Sequence, residues 1–435
     1  MINIPILARA INSKSTGKII NVLEYFLASL LILTSNTVYF RSYEDGSHRF
    51  LLIALFLCLG MIGMLSFLWI CANRFELKRL FKFLAWFTGI YLVFCILNNM
   101  NYPLMRAKGT FFIMYVFPIL TMLYLKYSLA HQRLNALLYK VENITVILAV
   151  YSLFMWVLGP LLNFVHVSGM KVIIWGDKHP IQSYFNIFFD AQGPTQFLGI
   201  NIIRNTGIFV EAPMISFVLT VALLINIYLE KRLGLKTVIL LITILSTTST
   251  TGVIIAIGIL GTRIMFQEKI SHFISRWKYV IIPVIVVVAA LIIVFFVNKK
   301  MQENFNSYSI RLNDVYAGFR AWLNHPFIGN GVGNYASIKH YMYSFRLLPH
   351  GNDGYSTGLM RVLAGGGIYL ASLYLLPTIM SIKKFWKDDV YLILFNAFMI
   401  ILFIVTIIDL NYLFLTIITW MWVNIMFRRT STQRT

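Results

Sequence analysis

Arg204, Glu211, Arg311, Arg320, His350, Asp353 and Arg361 are the residues whose types and surroundings admit chemistry in this chain. Arg204 opens the stretch Arg204-Asn-Thr-Gly-Ile-Phe-Val-Glu-Ala-Pro213, where a long polar segment gives way to an apolar run. A guanidinium there can grip a phosphate through two parallel N–H···O bonds. The plainer reading is an arginine reaching for lipid headgroups. A carboxylate a few residues into an apolar span is unfavourable unless paired. Glu211, seven residues or two helical turns from Arg204, is therefore expected to face one cavity with it, with Pro213 in a first helical turn.

The second constellation lies between 298 and 355. Arg311 and Arg320 fall on an expected helical stretch 309–323, followed by His325-Pro-Phe-Ile-Gly-Asn-Gly-Val-Gly333. Those glycines permit positive φ and close backbone approach, either as a phosphate-binding nest or as a tight structural turn. No Gly-Lys-Ser/Thr follows, so a nucleotide P-loop is excluded. His350-Gly-Asn-Asp353-Gly-Tyr355 offers His350 or Asp353 as a base toward a hydroxyl; a helix N-cap at Asn352 or Asp353 is the alternative. Arg361 lies inside the next apolar run and calls for a partner or an aqueous cavity. Trp322, Tyr335 and Tyr355 are flat, polar-tipped rings suited to stacking on sugars, or to ordinary packing.

The elements that must position these residues are membrane helices. The 435-residue chain is 59% hydrophobic and only 12% charged, against about 25% charged in soluble domains. Apolar runs of about 20 residues, enough to cross a bilayer core, recur near 19–40, 50–72, 80–99, 109–130, 141–163, 207–229, 235–248, 251–267, 279–297, 355–379, 389–408 and 411–427. The reading is an all-α, polytopic membrane bundle of about twelve spans forming a single domain over 1–435. Within 235–267, a hairpin turning at the Ser/Thr run 246–251 keeps basic residues at both outer ends. Two long loops, 164–206 and 298–354, share one face. The apolar clusters of the first are expected to form short interfacial helices. Lys126 is expected to snorkel, and Asp409-Leu-Asn411 to turn between the last two spans.

A net charge of +21 would suit nucleic acid, but its distribution argues otherwise: 23 of the 37 Lys and Arg residues fall in termini and loops on the face opposite the long loops. The positive-inside rule makes that face cytoplasmic, with both termini on it and an uncleaved first helix. Cys58, Cys71 and Cys95 lie in or beside spans, so neither a disulfide framework nor a zinc site is suggested.

Taken together, Arg204-x-x-Gly-x-Phe-x-Glu-x-Pro213, the Ser246–Gly252 patch, and Arg320 followed by His325-Pro-x-x-Gly-x-Gly-x-Gly333 resemble the O-antigen polymerase/O-antigen ligase superfamily in motif order over roughly 200–380. The patch departs from that family in having Ser or Thr where an arginine is usual. Gly351 after His350, Asn352-Asp-Gly-Tyr355 and Gly365-Gly-Gly-Ile368 are more like Wzy-type polymerases than ligases. The resemblance implies a GT-C-like glycosyltransferase of the bacterial inner membrane, its active site on the outer face, polymerising undecaprenyl-diphosphate-linked repeat units into a cell-surface polysaccharide. It implies diphosphate binding by Arg204, Arg311, Arg320 and Arg361, and a base among His350, Asp353 and Glu211. Trp322, Tyr335 and Tyr355 would contact glycan. Neither metal nor other cofactor is expected, nor nucleic acid; lipid, a flippase and a chain-length regulator are the candidate partners. A ligase or a transporter is the alternative.

Overall fold

The computed structural model describes residues 14–43, 45–175, 177–197, 200–266, 305–348 and 353–428. The expected span near 279–297 and His350 lie outside the described residues. What is described is mostly helical. The order begins α1 Lys14–Leu33, α2 Val38–Arg41, α3 Ser47–Ala72, α4 Leu77–Asn101, α5 Lys108–Ala130 and α6 Ala136–Trp156. Strands β1 Gly169–Trp175, β2 Asp177–Tyr184, β3 Phe188–Asp190, β4 Pro194–Phe197 and β5 Ile200–Ile203 follow. Then come α7 Ala212–Leu224, α8 Leu235–Ser246, α9 Thr250–Met265, α10 Phe305–Asn324, α11 Ala336–Lys339, α12 Gly358–Phe385, α13 Val390–Val405 and α14 Tyr412–Phe427.

Six helical stretches among the described residues are long and apolar enough to cross a membrane: Ser47–Ala72, Leu77–Asn101, Met105–Ala130, Ala136–Leu161, Ala212–Leu229 and Gly358–Phe385. The apolar helices α8, α9, α13 and α14 have 12 to 16 residues. At 1.5 Å per residue they rise about 18–24 Å, short of a hydrocarbon core of about 30 Å.

Two compact units divide the chain, one comprising Met1–Ser35, Asp45–Val141 and Asn313–Thr435, the other Asn36–Glu44 and Glu142–Leu312. In the first, α5 packs on α3 and α14, and α12 on α13 and α14. The helix α12 breaks at Gly367, whose φ of 61° and ψ of −165° leave the helical region. Into that break fits the segment 326–333. Asn330 N donates to Ala364 O at 2.8 Å, Gly331 N to Gly365 O at 3.0 Å, and Ile368 N to Pro326 O at 2.9 Å. Asn98 clamps the same junction, donating to Ile328 O and Gly365 O at 3.1 Å each and accepting from Val332 N at 3.0 Å.

The second unit is built around α7. It is apolar on all sides and correspondingly buried, the pattern of a helix enclosed by neighbours. On it packs the hairpin of α8 and α9. The hairpin turn is the Thr247–Ser249 tip, and Arg263 near its far end donates to Lys231 O at 3.2 Å, bringing the two basic ends together as the charge pattern implied. Gly252 allows the close approach: a Cβ there would lie 1.9 Å from Ser216 Oγ on α7, the small-residue contact that drives helix association in lipid.

Between α6 and α7 the chain forms strands, where short interfacial helices were expected. Strands β1, β2 and β3 pair antiparallel, with Ile173 opposite His179 and Lys171 opposite Ile181; β4 pairs with β5. Val172, Ile173 and Ile174 are β-branched and suit a pleated surface. Ile173 and Ile181 bury on a shared face with Val38, Phe189 and Val210, which favours paired strands over the expected interfacial helices.

Candidate active site

The site in the second unit starts from the α8–α9 turn. Thr248 holds φ at +51°, unfavourable for a β-branched residue by about 1–3 kcal/mol and found mainly where surroundings enforce it. What enforces it is Arg204. Its Nε donates to Thr247 O at 3.2 Å and Thr248 Oγ1 at 2.9 Å, and its Nη2 to Thr248 O at 3.3 Å. Asn205 pins the same tip, its N donating to Ser246 O at 3.1 Å and its Nδ2 to Ser246 Oγ at 3.0 Å. The Ser/Thr run is thus the floor on which Arg204 rests. Arg311, exposed on α10, reaches the same run, with Nη1 at 3.5 Å from Thr251 Oγ1.

Glu211 is the residue before α7, and Pro213 lies in its first turn. Gln192 Oε1 accepts from Ala212 N at 2.9 Å and from Arg204 Nη1 at 3.4 Å, linking the helix start to the guanidinium. The positive end of the α7 dipole therefore adds to the cationic character of the site. Arg204 and Glu211 interact electrostatically across an extended entry to the helix rather than along two turns of one helix. The Glu211 carboxylate makes no hydrogen bond among the described residues. Burial pushes it up to about 7, against the pull of Arg204, Arg41 and Arg311. Burial also lowers the Arg204 guanidinium, with Glu211 pulling it back up.

Arg41 had no motif to mark it. The segment 36–41 is stitched to 208–210 by Val38 N to Ile208 O at 2.8 Å and Val210 N to Asn36 O at 3.2 Å. Asn36 Oδ1 accepts from Arg41 Nε at 3.0 Å and Nη2 at 2.7 Å. The sequence signal was there in kind, an arginine just outside the first apolar run, but nothing local pointed it at Glu211. Arg204 and Arg311 on a floor of hydroxyls, with Arg41 and Glu211 in electrostatic range, are suited to a multiply charged phosphate ester.

The remaining expected residues belong to the first unit. On α10, Arg311 and Arg320 are nine residues apart, two and a half turns at 3.6 residues per turn. They leave opposite sides of the helix, so they do not act as one clamp. Arg320 lies over the Tyr341 ring at 5.8 Å. Trp322 Nε1 donates to Pro326 O at 2.9 Å. Tyr335 donates to Asp353 O at 3.1 Å, and Tyr355 to Asp314 O at 2.7 Å. The Asp353 side chain is 52% exposed and ion-paired with Lys339. Burial raises the hydroxyls of Tyr335 and Tyr355, which keeps both protonated as donors.

Arg361 has the partner its position demanded. Asp409, in the turn before α14, takes it with both oxygens, Nε to Oδ2 at 3.0 Å and Nη2 to Oδ1. Arg346 is fully buried, 2.8 Å from Asp314 Oδ1 and 2.9 Å from Asn313 Oδ1. No sequence motif marks Arg346. Lys126, expected to snorkel, is fully buried and donates to Glu76 O at 3.1 Å. The glycine run is the tight turn, not a nest: the N–H groups of Gly329, Asn330 and Gly331 donate to His325, Ala364 and Gly365 carbonyls. Among the described residues no group of three or more His, Cys, Asp or Glu side chains is placed to hold a metal ion.

Compared with known proteins, the chain matches no family model, no curated protein and no solved structure.

Proposed function

We propose that the chain is a GT-C-like membrane glycosyltransferase of about twelve spans that polymerises undecaprenyl-diphosphate-linked oligosaccharide repeat units on the outer face of a bacterial inner membrane. The observation that carries this reading is the seating of Arg204 and Arg311 on the hydroxyl run 247–251, with Glu211 in electrostatic range of both. An oxygen of the acceptor sugar attacks the anomeric carbon of the donor. The bond from that carbon to the diphosphate oxygen breaks, and its electron pair leaves with the lipid diphosphate. The hydroxyl proton passes to Glu211. Arginines supply the charge that stabilises the departing diphosphate, and the motif order over roughly 200–380 supports the substrate class.

Among the three candidate bases, Glu211 is favoured. Its carboxyl is raised near neutrality while facing three cations, the tuning a general base needs. Asp353 is exposed and held by Lys339. Arg361, committed to Asp409, supports the fold in this reading, and Arg320 stands outside the diphosphate clamp.

The test is an assay of purified protein with lipid-linked repeat units, read as a ladder of longer glycans. Arg311→Ala is expected to reduce the ladder about 10²–10³-fold, as loss of one transition-state donor does; Arg320→Ala should stay within a few-fold of the parent. A full ladder from Arg204→Ala/Arg311→Ala would end the assignment. Glycan transferred only to a separate acceptor lipid would indicate a ligase, and vectorial movement without new bonds a transporter.

A further inference from the structure

The helix α4 buries few of its residues, chiefly Leu80, Tyr91, Phe94 and Asn98. Its first half turns Phe83, Trp86 and Phe87 toward α5, α12 and α14. With Ile119, Leu373, Trp422 and Met426 these rings line a shallow, half-open apolar cleft. Two polar groups of its wall are engaged: Trp422 Nε1 donates to Leu373 O at 2.9 Å, and Thr419 Oγ1 to Leu415 O at 2.8 Å. Such a wall accepts hydrocarbon. It is too small for another helix, whose diameter is about 10–12 Å.

The Met426 end of the cleft is cationic. Arg79 donates to Met426 O and lies 5.2 Å from the Phe427 ring centre. Lys384 donates to Asn424 O at 3.4 Å and to Arg428 O at 2.6 Å. Lys126 stands 4.4 Å from the Phe427 ring. The facing carboxylates are Glu76, 3.7 Å from Lys126 and 3.8 Å from Arg79, and Asp389, 3.1 Å from Arg428. Arg79, Lys126, Lys384 and Arg428 thus outnumber Glu76 and Asp389, and the Arg79 side chain is 53% exposed.

We infer that this cleft is a binding site for one acidic phospholipid, an acyl chain lying between α4 and α14 and the headgroup phosphate resting on Arg79 and its neighbours. The unbalanced positive charge selects an anionic over a zwitterionic headgroup. The site shares no residue with Arg41, Arg204 or Arg311 and does not depend on the proposed transfer reaction.

The experiment is native mass spectrometry of delipidated full-length protein titrated with phosphatidylglycerol or phosphatidylcholine of identical chains. One phosphatidylglycerol per chain is expected to bind, about fivefold or more tighter than phosphatidylcholine, since each basic residue near an anionic lipid is worth about 1 kcal/mol. Arg79→Gln should remove about fivefold of the phosphatidylglycerol affinity and leave phosphatidylcholine unchanged. Thr419→Trp, which fills the cleft, should weaken both. In the parent protein, added salt should weaken phosphatidylglycerol alone, a readout that needs no variant. Equal binding of the two lipids, or phosphatidylglycerol binding indifferent to salt and to Arg79→Gln, overturns the inference. Tighter binding of undecaprenyl phosphate that survives Arg79→Gln overturns it in favour of an isoprenoid groove.

Discussion

Arg204 is seated on the turn at Thr248, its Nε donating to Thr248 Oγ1 at 2.9 Å and its Nη2 to the Thr248 carbonyl at 3.3 Å. The turn fixes one edge of the guanidinium. On the other edge Nη1 has, among the described residues, only the 3.4 Å bond to Gln192, and that edge is the one available to a phosphate. The hydroxyl run expected to turn the hairpin is therefore also the support of Arg204.

Glu211 sets the expected pH dependence. Its carboxyl rises from an ordinary 4.5 to about 7 because burial disfavours the charge. A base works ionised, so transfer should increase as pH rises through about 7. Glu211→Gln should remove that limb and lower turnover about 10²–10⁴-fold. Stability moves the other way. Between about 4.5 and 7 the folded chain keeps a proton that the unfolded chain has lost, so stability falls with rising pH across that window and levels off above it. Glu211→Gln should flatten that dependence in thermal unfolding scans at pH 4.5 to 8. A variant that keeps full turnover removes Glu211 from the chemistry.

Arg41 should tune the same carboxyl. It is one of three cations pulling Glu211 down, so Arg41→Gln should raise that carboxyl further and move the acidic limb of the rate profile to higher pH. Donor binding should weaken as well. A pH–rate series on the variant measures both effects, and an unmoved limb would count against Arg41 facing Glu211.

Arg346 and Asp314 should behave as a coupled pair. Their side chains are 0% and 1% exposed. Arg346→Met leaves Asp314 charged, buried and uncompensated, a loss of about 3–5 kcal/mol. Burial already raises the Asp314 carboxyl against Arg346 and Ser356. Adding Asp314→Leu should recover most of the loss, since an apolar pair of similar volume can match a buried ion pair. Thermal unfolding of both single variants and the double variant in detergent gives the coupling.

Gly367 and Gly365 should respond differently to alanine. At Gly367 φ is +61° and an added Cβ would lie 2.3 Å from Phe327 O; at Gly365 the nearest atom is 3.5 Å away. Gly367→Ala should lower the melting temperature through strain of about 1–3 kcal/mol and through displacement of the 326–333 segment. Gly365→Ala should be close to neutral, and equal effects would mean that the break in α12 is not what seats the loop.

Much of the helical framework was legible because its signals are local. Pro213 marked the start of α7, the Ser246–Gly252 run marked the α8–α9 turn, and Arg311 and Arg320 fell on the helix expected over 309–323. Asn411 caps α14, accepting from Phe414 N at 3.1 Å, as the turn at Asp409 implied. Each depends on residues a few positions apart, where periodicity, capping and turn chemistry act directly.

The candidate site was only half legible. Arg204 and Glu211 lie close in the chain and were paired from spacing, and Arg311 was named by type. Arg320 lies half a turn round the same helix from Arg311, over the Tyr341 ring. Strands β1 to β3 were missed because β-branched residues fit an interfacial helix or a hairpin until Ile173 and Ile181 find Phe189 and Val38.

By itself the amino-acid order determined the membrane character of the chain, the helix starts and turns, and the residues rich enough in charge to matter. Tertiary structure alone decided their partners: Arg361 on Asp409, Arg346 on Asp314, and the glycine run spent on a helix break. The reason is physical. Local propensity acts over a turn or two of chain, whereas the partner of a buried charge is whichever distant residue packing brings within about 4 Å, where charges in a low-dielectric interior interact strongly.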